Sequence, residues 1–171
     1  IYCIWDENRK DNLPDEFKNS NYNIVFSDVS KKKLILERLS SKEFLSHKNN
    51  LIIFSDAIDI RPSDYEQYFN LLNIEDESLV IAKNKENSIA VFGFNNYSEE
   101  IINNLILSNF SYNDFLGRVK SCEHFMHIVN DVLLVRNLYN FKQLYQELSQ
   151  KKSIEYCSQP MHERFTHLFV E

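Results

Sequence analysis

The sequence predicts an α/β fold with a mostly parallel central sheet flanked by helices. Short apolar runs alternate with amphipathic segments of helical period along most of the chain. One of these runs, Leu51 to Phe54, is apolar on both faces, which suits a strand covered by helices on each side. That run also stops on two closely spaced carboxylates, Asp56 and Asp59, at the strand end where such sheets place their ligands.

Ile1 to Trp5 is rich in β-branched and aromatic residues and reads as the first strand. The polar stretch Asp6 to Asn12 follows as a loop, and Leu13-Pro14-Asp15 opens a short helical turn. "YNIVF" (Tyr22 to Phe26) is the second strand. Leu34, Ile35 and Leu39 share a helical face within Lys31 to Leu39. Ser40 and Glu43 form a capping-box signal for a short helix ending near His47. Leu51 to Phe54, the third strand, is expected in the middle of the sheet. After Arg61-Pro62, a second box of Ser63 and Glu66 starts a helix with Tyr65, Tyr68, Phe69 and Leu72 at spacings of three and four.

Leu79 to Ala82 and Ile89 to Phe94 are strands separated by the polar "KNKENS", either as a hairpin or as a change of strand direction. Helices follow at Ser98 to Leu107 and Tyr112 to Val119. Val132 to Val135 reads as a short strand. Leu138 to Leu148 is an amphipathic helix facing inward through Leu138, Phe141, Tyr145 and Leu148. The tail carries a helical pattern through Met161, Phe165 and Leu168. Strands and helices alternating in this order give a doubly wound, Rossmann-like sheet.

The chain has 171 residues, 43% of them apolar and 26% charged, in the range of one soluble globular domain. Its net charge of −6 argues against a nucleic-acid partner, since phosphate binders carry a basic stripe and Lys31-Lys32-Lys33 is the only lysine run. No stretch is long and apolar enough for a membrane span. The three cysteines, Cys3, Cys122 and Cys157, form neither a disulfide framework nor a zinc pattern, and reduced thiols of a cytoplasmic protein are expected. With only Gly93 and Gly117, a glycine-rich phosphate loop cannot be written. The chain opens on Ile1 and closes on Glu171 inside a helical pattern, so it is expected to be part of a longer protein with further domains.

"LIIFSDAIDIRPSDYEQYFNLL" (Leu51 to Leu72) resembles a block of the nucleotide-diphospho-sugar transferase superfamily, the GT-A fold. A strand ending in acidic residues, then proline and an amphipathic helix, is similar to small transferases related to molybdenum-cofactor guanylyltransferases. "SLVIAKNKENSIAVFGF" (Ser78 to Phe94) looks like their next strand pair, and "VRNLYNFKQL" (Val135 to Leu144) occupies the place of their closing acidic block. "IYCIWDENRKDNLP" (Ile1 to Pro14) and "SCEHFMHIV" (Ser121 to Val129) are similar to exostosin-like glycosyltransferases of the same fold, the second as a helix. The sequence departs from these patterns at Val135, Asn137 and Phe141, where aspartates are expected, and at Asn87-Ser88, where paired glycines are. The acidic metal signature reads Asp56-Ala57-Ile58-Asp59, one residue longer than Asp-x-Asp.

The resemblance implies a GT-A-like domain over residues 1–153, lacking its first strand, with a helical tail over 154–171. It implies transfer of a sugar or nucleotidyl group from a nucleotide-sugar donor to an unspecified acceptor. Asp56 and Asp59 would hold Mg²⁺ or Mn²⁺, hard cations suited to oxygen ligands. Asp6, Arg38 and Asp56 would contact the donor nucleotide, and Glu123 would be the general base. The residues alone leave plainer readings open. Asp56 caps a turn and Asp59 pairs with Arg61; Glu123 is a helix N-terminal acid behind the cap Ser121. His124 and His127 are three apart without a third metal partner. The alternative function is a transferase-fold domain that no longer catalyses and serves as a binding or assembly module.

Overall fold

The computed structural model describes residues 2–13, 15–18, 23–27, 35, 37–54, 56–148, 158–160, 162–163 and 167. The chain divides into two compact units, Ile1–Phe44 and Leu45–Glu171.

In the first unit, β1 (Tyr2–Asp6) and β2 (Asn23–Ser27) pair in parallel, with Tyr2 opposite Asn23 and Asp6 opposite Ser27. A parallel pair needs a crossover, and this one contains a 3₁₀ turn (Glu7–Asn12) and α1 (Asp15–Lys18). Asp6 starts the turn by accepting the Asn8 N–H at 3.0 Å, and the Trp5 indole N–H donates to the Arg9 carbonyl at 2.9 Å. Ile35 and residues 37–39 are helical, with Ile35 and Leu39 buried; the predicted start of that helix at Lys31, and Leu34, lie outside the described residues. The next helix, α2 (Lys42–Leu45), is capped by Ser41 rather than Ser40, through the Phe44 N–H at 3.5 Å.

The second unit holds a four-stranded sheet in the order β3-β5-β4-β6, where β3 is Asn49–Ile53, β4 Ser78–Lys83, β5 Ile89–Asn95 and β6 Phe125–Ile128. Its α/β character is as predicted, but the sheet is only partly parallel. β5 runs antiparallel to both neighbours, and β4 and β6 are the parallel pair. The cause is the short link Asn84–Ser88, which can close a hairpin but cannot carry a crossover. Asn84 Oδ1 accepts the Ser88 N–H at 2.7 Å, and Asn87 takes a positive φ of 66°. Asparagine tolerates that left-handed conformation, so the turn closes without a glycine.

β3 stands at one end of this sheet instead of its middle, and is mostly half-buried. Burial belongs to β4 and β5, the inner strands, and every residue of β5 is buried. Helix α3 (Pro62–Leu72) begins with proline at its first turn, and Asp64 accepts the Arg61 N–H at 2.8 Å, in place of the predicted Ser63/Glu66 box. It buries Tyr68 and Leu72, while Tyr65 and Phe69 are each 40% exposed. Tyr68 and Leu72 join Val80, Ala82, Ala90, Val91, Val132 and Leu134 in one core cluster.

The opposite sheet face is covered by α4 (Glu99–Leu107), capped by Ser98, and α5 (Tyr112–Val119), whose Phe115 meets Phe92 edge-on at 5.5 Å. Residues 125–128, expected in a helix, form β6 and pair with β4 from Ser78↔Phe125 to Ile81↔Ile128. Val132 to Val135 makes only an isolated bridge, Leu134 to Ala57. Helix α6 (Leu138–Leu148) buries Asn140, Leu144 and Leu148, so its inner face is rotated away from Leu138 and Tyr145. Met161, Phe165 and Leu168 lie outside the described residues. Among those described, no helix is long and apolar enough to cross a membrane.

Gly93 sits where β5 passes beneath α3. A Cβ there would stand 2.6 Å from Leu51 Cδ2 and 3.3 Å from both Leu72 Cδ1 and Val80 Cβ. Gly93→Ala is therefore expected to destabilise the second unit by about 1–3 kcal/mol, as overpacking does, read as a lower urea midpoint with unchanged slope.

Candidate functional site

β3 and β4 both oppose β5, and β6 is parallel to β4, so β3, β4 and β6 point the same way. The segments that follow them therefore gather at one end of the sheet. After β6, the chain stays bonded to β4: Val129 N–H donates to the Ile81 carbonyl at 3.0 Å and Val132 N–H to Lys83 at 2.8 Å. Its other edge takes the loop after β3. Ile58 N–H donates to Leu133 at 3.2 Å, and Val135 N–H donates to the Asp56 carbonyl at 2.9 Å. Residues 129–135 thus bridge the ends of β4 and β3 like a short extra ribbon.

This ribbon holds the charged side chains in place. Asp59 Oδ1 accepts the Leu133 N–H at 2.7 Å. Asp56 Oδ2 forms a close ion pair with Arg136 Nε, the two side chains being 26% and 35% exposed. Lys83, the last residue of β4, pairs with Asp131 at 3.1 Å and lies 5.7 Å from the centre of the Tyr112 ring. Behind Arg136, the buried Asn140 accepts the Arg136 backbone N–H at 3.3 Å and donates to Glu86 at 2.9 Å. Carboxylates and cations alternate around one end of the sheet.

Burial pushes the Asp59 carboxyl above its ordinary 3.8; the Leu133 N–H opposes this, and Glu147 and Asp64 add to it. The Tyr68 phenol is pushed up to about 12, again mainly by burial, with Asp64 and Asp59 reinforcing. Burial, then Glu100, raises the Cys122 thiol, so it is a poor nucleophile where it stands.

Of the residues singled out from sequence, Asp56 and Asp59 occupy this end together. Asp59 is held by the Leu133 N–H and Asp56 by Arg136. Glu123 is exposed and precedes the amino end of β6, so it lies at the opposite end of the sheet. No helix starts at Ser121, and the Glu123 reading based on a helix dipole has no helix behind it. His124 precedes β6 and His127 lies within it, with His124 Nδ1 and His127 Nε2 buried and unpaired among the described residues. Asp6 and Arg38 belong to the first unit, Asp6 as the cap of the 3₁₀ turn and Arg38 with its carbonyl accepting the Ser41 hydroxyl at 2.7 Å. Among the described residues, no three His, Cys, Asp or Glu side chains converge as a metal site.

Sequence reasoning missed Arg136, Lys83, Asp131 and Asn140. The available signal was charge at the borders of an apolar run: Asp131 and Arg136 bracket Val132 to Val135.

No family model matches the chain, and no curated protein is significantly similar to it. Its fold is that of a crystal structure from Desulfovibrio desulfuricans G20, a protein provisionally named a nucleotide-diphospho-sugar transferase. The superposition has a TM-score of 0.75 at 11% identity and covers 99% of this chain and 75% of that one. The likeness shows a nucleotide-sugar-transferase-like fold.

The Asp59 shift has a consequence for stability. With a folded-state pKa above the ordinary 3.8, the folded chain binds this proton more tightly than the unfolded chain. Its contribution is complete below 3.8 and is lost as pH rises through the folded-state value. Asp59→Asn keeps an acceptor for Leu133 N–H and removes the titration. The variant is expected to be more stable than the natural chain at about pH 7, the gap closing toward pH 3.8. Urea unfolding across that range measures it; a gap that widens on acidification would refute it.

Proposed function

We propose that the domain transfers a sugar, or a nucleotidyl group, from a nucleotide-activated donor bound beyond the carboxyl ends of β3, β4 and β6. The observation that carries this reading is the fold likeness over 99% of the chain, combined with the rule that such sheets bind ligands beyond their strand ends. At that end the chain presents Asp56 and Asp59 on one loop, with Arg136 paired to Asp56 and Lys83 closing β4 in a pair with Asp131.

The donor set suits a hard divalent cation. Mg²⁺ is commonly held by one or two carboxylates together with substrate phosphates, so a third protein ligand is not required. Asp56 and Asp59 are the residues that would hold it, and a bound cation would neutralise charge on the leaving diphosphate. Arg136 and Lys83 supply positive charge toward the same phosphates. The proposed site omits Glu123, which stands at the other end of the sheet.

The test is a thermal-shift titration of UDP- and GDP-sugars with Mn²⁺, paired with an assay for donor turnover. A ligand at a hundredfold its Kd stabilises by about 2.7 kcal/mol, an increase in Tm of roughly 5–10 °C for a chain this size. That shift is expected with one donor class and is expected to be lost in Asp56→Ala and Asp59→Asn. No shift with any nucleotide sugar overturns the proposal. A shift without turnover assigns the domain to binding or assembly instead.

A further inference from the structure

The Asp56–Arg136 pair is made through one N–H of the guanidinium. Arginine presents five N–H donors in a planar fork, and its strong contacts with carboxylates are bidentate. Here the contact runs through Nε to Asp56 Oδ2, and among the described residues the terminal nitrogens of Arg136 make no other hydrogen bond. Both side chains reach solvent, at 35% for Arg136 and 26% for Asp56. Their backbones, by contrast, are fixed. Val135 N–H is bonded to the Asp56 carbonyl at 2.9 Å, Leu134 bridges Ala57, and Arg136 N–H is bonded to Asn140 at 3.3 Å. An accessible cation with one of its donors engaged is held beside a carboxylate by a hydrogen-bonded frame.

We infer that Arg136 is a diphosphate-binding residue, and that its pair with Asp56 is the ligand-free state of a charge exchange. An incoming diphosphate takes the guanidinium fork, and Asp56 is released to face a cation. The inference rests on the proposed donor site and adds to it a residue and an order of events. It also assigns Asp56 two opposed effects. Without metal, its carboxylate competes with the diphosphate for Arg136 and weakens anion binding. With metal, the same carboxylate strengthens binding. A ligand shifts such an equilibrium only by its different affinity for the two states, and the diphosphate favours the one in which Arg136 is free.

The experiment is calorimetric titration of pyrophosphate, and separately UDP, into the whole chain in chelator-treated buffer and then with Mn²⁺. Pyrophosphate is expected to bind the natural chain without metal. Arg136→Gln should lose about tenfold or more of that affinity, as loss of a charge-assisted contact does. Asp56→Asn should bind metal-free pyrophosphate about threefold to tenfold more tightly and lose the enhancement by Mn²⁺. Arg136→Lys, which keeps the charge without the fork, should fall between Gln and the natural residue, and decides the matter should Arg136→Gln fail to fold. No pyrophosphate binding by the natural chain, unchanged binding by folded Arg136→Gln and Arg136→Lys, or weaker metal-free binding by Asp56→Asn overturns the exchange. Pyrophosphate results as expected, with no turnover of any nucleotide sugar, would leave the exchange standing and remove the transferase reading.

Discussion

The ribbon formed by residues 129–135 is the constraint on which the candidate site depends. It is hydrogen-bonded to β4 through Val129 and Val132, and to the loop after β3 through Leu133 and Val135. Neither strand end would hold its charged residues in a defined place without it. The Asp59 carboxylate belongs to this frame as much as to any chemistry, because Leu133 N–H would lose its acceptor without it. An unmet buried N–H costs about 1–3 kcal/mol, which is reason enough for an acid to sit half-buried there despite its raised pKa.

Below the ribbon, two residues of β5, one polar and one minimal, fix helix α3 on the sheet. Asn95, buried at the end of β5, accepts the Ser78 N–H and donates to the Leu72 and Glu75 carbonyls, each at 2.6 Å. One side chain therefore joins the end of α3, the start of β4 and the end of β5. Gly93, two residues earlier, lets Leu51, Leu72 and Val80 meet over the strand. Helix α3 is set by these two positions, and with it residues 56–61, which carry both aspartates.

Two carboxylates at the site are paired with cations even though the chain is net negative. Asp56 faces Arg136 and Asp131 faces Lys83. Ion pairs with both partners partly in water contribute about 0–1 kcal/mol each, so exchanging their partners costs the fold little. Asp59 differs. Its carboxylate is bonded to the Leu133 N–H, and its electrostatics are set mainly by burial, with Glu147 and Asp64 adding to the shift. The same end of the sheet thus holds one carboxylate that is easily redirected and one that is part of the scaffold.

The sequence by itself determined the α/β class, most helices and strands of the second unit, and the position of Asp56 and Asp59 after a strand. Those follow from local periodicity, caps and apolar runs, which depend on neighbours a few residues away. Tertiary structure decided the rest. An apolar run shows that a strand is covered, not which strands lie beside it, so β3 read as central and stands at one end of its sheet. Phe125 to Ile128 read as helix and became β6, because pairing with β4 is a long-range interaction that local pattern does not encode. Arg136 reaches Asp56 across eighty positions of sequence for the same reason: the ribbon brings them together, and hydrogen bonds between distant segments leave no periodic trace in the chain.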